Sequence, residues 1–148
     1  MSADNKSIVR RLYEEVWNKR KPELFDEIIS NSHAIHNSNI PGVTIGPAAY
    51  KAEFSRFVSA FPDLRLSVED LIADGDKVVV YWNMSGTHKG EFLGFPATNK
   101  QISSDGCTLH YLSDGKIMDS YVCWNAWVAM QQLGVVPAPG EPRSATAR

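Results

Sequence analysis

The spacing of apolar residues changes along the chain near Pro62. Before this residue, apolar positions recur at helical spacing in three segments, and after it they alternate with polar positions. The second and third segments start at Pro22 and Pro47, and proline is favoured in the first turn of a helix. The predicted helix faces are, in chain order, Ile8, Val9, Leu12, Tyr13, Val16 and Trp17; then Leu24, Phe25, Ile28 and Ile29; then Tyr50, Phe54, Phe57, Val58 and Phe61. The segment "HAIHN" could form a short strand between the last two helices.

The alternating half of the chain contains two Asp-Gly hairpin signals, at "ADGDK" and at Asp114-Gly115. In the first hairpin, Leu64, Leu66, Val68 and Ile72 alternate with polar residues. A three-residue loop with Gly75 in the left-handed region would set Val68 opposite Trp82. We prefer this register because it gathers Leu66, Val68, Val80, Trp82 and Met84 on one face.

In the last hairpin, a two-residue turn would pair Ser113 with Lys116 and, counting outward, His110 with Asp119. A carboxylate beside an imidazole fixes its tautomer and raises its pKa. The same face would carry Thr108, Tyr121, Gly106, Cys123, Ser104 and Asn125, and Cys107 would lie on the other face. Such a polar row either meets water or lines an internal cavity. Its lack of Lys and Glu favours the cavity.

Helices followed by antiparallel strands predict an α+β fold, with three N-terminal helices packed on one face of a curved antiparallel sheet. We expect one domain over residues 1–136. The segment 137–148, rich in Pro and Ala, is expected to be a disordered tail.

The composition of the chain excludes several classes of function. The net charge of −2 gives no basic surface for nucleic acid or an anionic membrane, and no apolar run could span a bilayer. The four histidines show no metal-ligand spacing, and no phosphate loop or dinucleotide motif is present. We expect a soluble cytoplasmic protein without a metal site.

Three segments together resemble the SnoaL-like polyketide cyclase (ester cyclase) family of the NTF2-like superfamily: "SAFPDLRLSVEDLIADGDKVVVYW", "GTHKGEFLGFPATNK" and "DGKIMDSYVCWNAWVAMQQLG". The resemblance covers about residues 5 to 135, and no single motif carries it. It implies a cone in which the sheet wraps a deep pocket, and a homodimer formed through the outer face of the sheet. It also implies cofactor-free ring closure by aldol condensation.

The resemblance places His36, His88, Asp119 and Tyr121 at family positions, with one departure. Asn125 stands where the family typically has an aspartate that acts as general acid/base. An amide forms hydrogen bonds but does not titrate. The family mechanism is therefore in doubt for this chain.

The leading hypothesis is a cyclase or isomerase acting on a polyketide-like or other polycyclic carbonyl compound. His110, oriented by Asp119, would transfer the proton, and Asn125 would donate to an oxyanion, with His36 and His88 as secondary candidates. The expected substrate wall is Trp82, Tyr121, Phe54 and Phe57. One alternative is hydrolysis or hydration, as in epoxide hydrolases of this fold, with Asp119 activating water. Another is a protein that only binds its ligand.

Overall fold

The computed structural model describes residues 2–39, 42–137 and 140, and of residues 2 and 3 only the backbone. The predicted tail, 137–148, lies outside the described residues except for Pro137 and Gly140. The described residues form four α-helices and six strands: α1 (Ser2–Arg11), α2 (Phe25–Ile28), β1 (Ile29–Asn37), β2 (Val43–Ile45), α3 (Gly46–Ala60), β3 (Arg65–Asp74), β4 (Lys77–Thr87), β5 (Gln101–Ser113), β6 (Lys116–Trp124) and α4 (Ala126–Gln132).

The first predicted helix is confirmed, but its second half is wider than an α-helix. After α1 the chain continues as a π-helical segment, Leu12–Trp17. There the amides of Asn18 and Lys21 bond carbonyls five residues back, those of Tyr13 and Val16. Such wide turns change the direction in which side chains point. In this segment Tyr13 and Trp17 face the interior.

The six strands form one sheet in the order β2-β1-β6-β5-β4-β3. The segment "HAIHN" lies within β1, so the predicted strand is confirmed and is longer than expected. The sheet is mixed, because β1 runs parallel to β6 while the other neighbours are antiparallel. The expectation of a purely antiparallel sheet is therefore wrong at this pair. Strand β1, which comes from the helical half of the chain, therefore lies beside β6, the last strand.

The first hairpin has the expected pairing, but a different feature of the strands produces it. Val68 lies opposite Trp82 and Gly75 has a φ of +61°, as predicted. However, Asp74 pairs with Lys77 across a two-residue turn, and a bulge at Glu69 supplies the one-residue shift. Ile72 is consequently 62% exposed, whereas its neighbours in β3 pack against the core.

A second bulge, at Met118, makes the predicted register of the last hairpin wrong beyond its first two pairs. Leu112 opposes Ile117 as expected, but the next pair is Tyr111 with Asp119. Because side chains alternate along a strand, every later residue of β6 changes face. The interior side receives Ser120, Val122 and Trp124, and the exterior side receives Asp119, Tyr121 and Cys123.

This shift also corrects the predicted positions of the two cysteines. Cys107 and Cys123 are directly opposed on neighbouring strands rather than on opposite faces. Both are exposed and both are free thiols.

Helices cover one face of the sheet, and the core between the layers is rich in aromatic rings. Gly106 faces Trp82 on β4 and Trp124 on β6. A Cβ atom at this position would lie 2.4 Å from the Trp82 ring and 2.8 Å from the Trp124 Cβ. The absence of a side chain at Gly106 thus leaves room for both indoles.

We expect Gly106→Ala to destabilise the fold by roughly 1–3 kcal/mol, because the added methyl group overpacks a site bounded by two rings. Chemical denaturation would measure the change in the free energy of unfolding. Cys107→Ala, on the exposed face one residue away, is the control and should stay within about 0.5 kcal/mol of wild type. Equal stability of the two variants would contradict this account of the packing.

Candidate functional site

An internal cavity lies between the π-helical segment, α3 and the inner face of the sheet. Its volume is about 660 Å³, including the part open to solvent. Aromatic and aliphatic side chains form most of the wall, among them Trp17, Trp82 and Trp124. The polar members of the lining are Tyr13, Asn37, Tyr50, Glu53, Thr108, His110 and Ser120. Apolar walls with a few placed polar groups are typical of small-molecule sites.

Four polar side chains form a continuous hydrogen-bonded chain, here called the histidine chain: Tyr13, His110, Ser120 and His33. The Tyr13 hydroxyl lies 2.9 Å from Nε2 of His110. Nδ1 of His110 lies 2.7 Å from Oγ of Ser120, which lies 2.9 Å from Nε2 of His33. The histidine chain therefore links the helical wall of the cavity to β5, β6 and β1.

Burial keeps the histidine chain uncharged. Loss of hydration and, to a smaller extent, the neighbouring His33 together lower the pKa of His110 to about 3. The same effect lowers the pKa of His33 to about 4, although the Asp119 charge opposes the shift. Burial raises the pKa of the Tyr13 hydroxyl far above its usual range. At neutral pH, both imidazoles and the phenol therefore stay neutral.

The direction of the hydrogen bonds follows from the far end of the histidine chain. Nδ1 of His33 is buried and has no partner. A buried N–H without a partner costs more than an unpaired acceptor, so Nδ1 should be the unprotonated nitrogen. His33 then donates through Nε2 to Ser120, Ser120 donates to His110, and His110 donates to the Tyr13 oxygen. The Tyr13 O–H is left to point elsewhere.

Thr108 supports the same end of the histidine chain. Its side chain opposes the effect of burial on the pKa of Tyr13, and its hydroxyl accepts a 2.9 Å bond from Nε1 of Trp82. With His110 donating, the phenol oxygen has two polar neighbours in a wall that is otherwise apolar. A phenol placed in this way can donate its own O–H to a ligand.

Glu53 brings a carboxylate to the cavity. It projects from α3 and is 8% exposed. Arg56, one turn further along the same helix, forms an ion pair with it. Glu53 also lines a groove on the outer side of α3, so it lies between the cavity and the surface.

Three of the predicted site residues line the cavity: His110, Trp82 and Phe57. Phe54 is instead packed in the core, with its ring centroid 5.0 Å from that of Trp17 and 5.9 Å from that of Phe25. Of the two phenylalanines predicted for the substrate wall, Phe57 therefore lies in the wall and Phe54 lies in the core.

The structure brings Asp119, Tyr121 and His36 together, but on the outer face of the sheet. Asp119 does not pair with His110, because the bulge at Met118 places Ser120 there. Asp119 lies 3.4 Å from Nε2 of His36, whose ring stacks on Tyr121 at 4.2 Å. Tyr121 is 44% exposed, so its predicted place in the substrate wall is wrong. The predicted orientation of His110 by Asp119 is wrong for the same reason.

Asn125 and His88 have structural contacts outside the cavity lining. Oδ1 of Asn125 accepts a 3.1 Å bond from the Val128 amide and so caps α4, which contradicts its predicted place at an oxyanion in the cavity. His88 is fully buried and bonds Thr98 through Nδ1 at 3.0 Å. Its backbone also bonds the segment at Asn99 and Lys100. His88 thus holds the connection between β4 and β5 in place.

Sequence reasoning missed Tyr13, Ser120, His33 and Glu53. The sequence contains a signal for the position of Ser120. Ile117 is an odd-numbered residue of β6, whereas Val122 and Trp124 are even-numbered, so a regular strand would point Ile117 to the face opposite the other two. A strand that buries all three needs an extra residue between them, which indicates a bulge. His33 is buried, and it lies on the opposite face of β1 from His36, three residues further along.

Metal and membrane chemistry find no support in the described part of the chain. Across residues 2–39, 42–137 and 140, no group of three or more His, Cys, Asp or Glu side chains could hold a metal ion. None of the helices in those residues is long and apolar enough to cross a membrane.

A helix-covered sheet around an internal cavity with acid/base groups is the architecture of NTF2-like, ketosteroid isomerase-like proteins. The family model for the SnoaL-like polyketide cyclases matches residues 7–133. The chain belongs to this family, which confirms the resemblance seen in the sequence. A search of curated proteins found no significant match.

Solved structures agree with this assignment. A candidate polyketide cyclase of Acidithiobacillus ferrooxidans is 31% identical, with a TM-score of 0.80 over 90% of this chain and 96% of that one. A candidate SnoaL-like polyketide cyclase of Jannaschia sp. CCS1 is 23% identical, with a TM-score of 0.84 over 92% and 95%. A protein with a ketosteroid isomerase-like fold from Catenulispora acidiphila is 16% identical, with a TM-score of 0.75 over 91% and 97%.

The neutral histidines make the stability of the fold depend on pH. An unfolded histidine binds a proton below about pH 6.5, whereas folded His33 and His110 stay neutral until about pH 4 and 3. In that window the unfolded state holds more protons, so the free energy of unfolding decreases as the pH falls. Between pH 7 and 4.5 we expect a loss of roughly 2 kcal/mol per histidine.

Urea denaturation at the two pH values would measure this loss in wild type and in His110→Gln. The variant should lose less stability over the same interval, because one of the two titrating groups is gone. An equal loss in both proteins would show that His110 does not remain neutral in the fold.

Proposed function

We propose that this protein is a cofactor-independent acid/base enzyme that converts a carbonyl-bearing small molecule by cyclisation or isomerisation. The observation that carries the proposal is the Tyr13 hydroxyl, held by His110 at 2.9 Å within an apolar cavity. Enolate chemistry needs a donor placed where negative charge develops on oxygen. Membership of a family that includes polyketide cyclases supports the same reaction class.

The histidine chain supplies the donor. Tyr13 would donate its O–H to the substrate carbonyl, while the His110 N–H stabilises the charge that builds on the phenol oxygen. Ser120 and His33 hold the His110 ring by a bond to Nδ1, so the donor keeps its direction. Hydrogen bonds in a water-poor site are strong and need little reorganisation during the reaction.

The alternatives from the sequence now differ in support. Hydration with Asp119 as the base is not favoured, because Asp119 lies on the outer face. The binding-only hypothesis rested on Asn125 in place of an acid, yet this amide caps α4. The apolar cavity is also compatible with binding alone, so the decisive measurement is proton exchange.

The test uses 1-tetralone, a fused bicyclic ketone, incubated with the protein in deuterated buffer. An enzyme that forms the enolate exchanges the α-hydrogens for deuterium, and mass spectrometry counts them. Wild type should exceed the buffer rate, and Tyr13→Phe and His110→Ala should each be slower by about 100-fold, as for loss of an oxyanion donor. Circular dichroism would confirm that the variants are folded.

Asp119→Asn is the matched control, because it removes a charge from β6 one residue before Ser120. It should exchange at the wild-type rate. Loss of exchange in this variant would favour the pairing inferred from sequence, and wild-type exchange no faster than buffer, with 1-tetralone bound, would favour a binding-only protein.

A further inference from the structure

Among the described residues that line the cavity, Glu53 has the only carboxylate. It shares its helix face with Tyr50 and Phe57, three residues before and four residues after it, and both also line the cavity. Glutamate is rarely this buried unless it is paired, since loss of hydration disfavours its charge. Burial of an apolar residue at this position of α3 would cost less free energy.

The pairing partner of Glu53 lies on its outer side. Arg56 is 72% exposed, whereas the Glu53 side chain is 10% exposed. The guanidinium therefore reaches the carboxylate from the surface while the cavity lies on the other side. A neighbouring cation favours the ionised carboxylate, which is the form able to accept a proton.

The histidine chain does not supply the base that removes a proton from the substrate. Both ring nitrogens of His110 already have hydrogen-bond partners, Tyr13 and Ser120, and His33 lies outside the cavity lining. Its Tyr13 end is a donor suited to the carbonyl oxygen. Enolate formation also requires a group that removes the α-proton, and the carboxylate of Glu53 is the remaining candidate on the described wall.

We propose that Glu53 is the general base of this site, taking the α-proton of a carbonyl substrate whose oxygen is held by Tyr13. The inference rests on the proposed function. The carboxylate accepts the proton as the C–H electron pair moves into the enolate. In a ring closure, the enolate carbon forms a C–C bond to a second carbonyl, and Glu53 returns the proton to the new alkoxide. In an isomerisation, the proton returns to another carbon. Each sequence leaves the protein unchanged.

A purely structural role for Glu53 would give different results. An i,i+3 ion pair on a helix contributes only about 0.2–0.5 kcal/mol, so its loss should change stability slightly and leave chemistry intact. Glu91 offers a matched control, because it lines the outer groove beside Glu53 but not the cavity. Glutamine at either position keeps the size of the side chain and removes only the charge.

The experiment compares Glu53→Gln and Glu91→Gln in two assays. The first is exchange of 1-tetralone in deuterated buffer. The second is elimination of 5-nitrobenzisoxazole, in which a base takes the ring C–H proton, the N–O bond breaks and a nitrile phenolate is released. The second reaction needs a base in an apolar cavity and no enolate. Glu53→Gln should lower both rates by about 100-fold or more, and Glu91→Gln should change neither.

The outcomes separate the two proposals. Elimination that depends on Glu53 without ketone exchange would retain the base and reject the proposed function. Exchange that persists in Glu53→Gln would retain the proposed function and reject Glu53. If wild type were inactive in both assays, both proposals would be wrong.

Discussion

A strand turns alternate side chains to opposite faces, so the single extra residue Met118 reverses the facing of all that follows it in β6. This constraint places Ser120, and not Asp119, opposite His110. The hydroxyl of Ser120 then accepts from one histidine and donates to the other. Every later feature of the cavity wall on β6, including Trp124, depends on the same reversal.

The side chains of the cavity wall are uncharged near His110 because Ser120, and not Asp119, lies opposite it. A carboxylate opposite His110 would favour a charged imidazole at the bottom of an apolar cavity. Ser120 instead completes a row of neutral groups, each bonded to the next. Such a row is suited to holding a polar oxygen of a ligand, and it separates this task from proton removal. The one carboxylate on the described cavity wall, Glu53, comes from a helix.

Much of the fold could be predicted because it depends on local patterns. Helical spacing identified the three helices before Pro62, and Asp-Gly turns identified both hairpins. The side of the sheet that each polar residue occupies was harder, since a bulge changes it without altering composition. In β3 the expected face was obtained from an assumed loop, whereas a bulge at Glu69 produced it. In β6 no shift was assumed, and the site prediction was wrong for Asp119 and Tyr121.

The parts of the site that sequence did not identify come from distant segments. Tyr13 was interpreted as one member of an apolar helix face, and its hydrogen bond to His110 becomes visible only in the folded structure. His33 meets Ser120 through the parallel pairing of β1 with β6, which no local spacing reports. His110 was identified correctly as a cavity residue because its position in β5 depends on the hairpin face alone.

The parallel pairing of β1 with β6 also governs when the cavity can form. These strands are far apart in sequence, with His33 and Ser120 separated by 87 positions, so their contact closes a long loop. Long-range pairing of this kind is slow, because chain entropy is lost before contacts compensate it. During synthesis, β1 leaves the ribosome long before its partner and must wait with an unpaired edge. The cavity is therefore among the last parts of the protein to be assembled, and its wall cannot be complete until β6 has emerged.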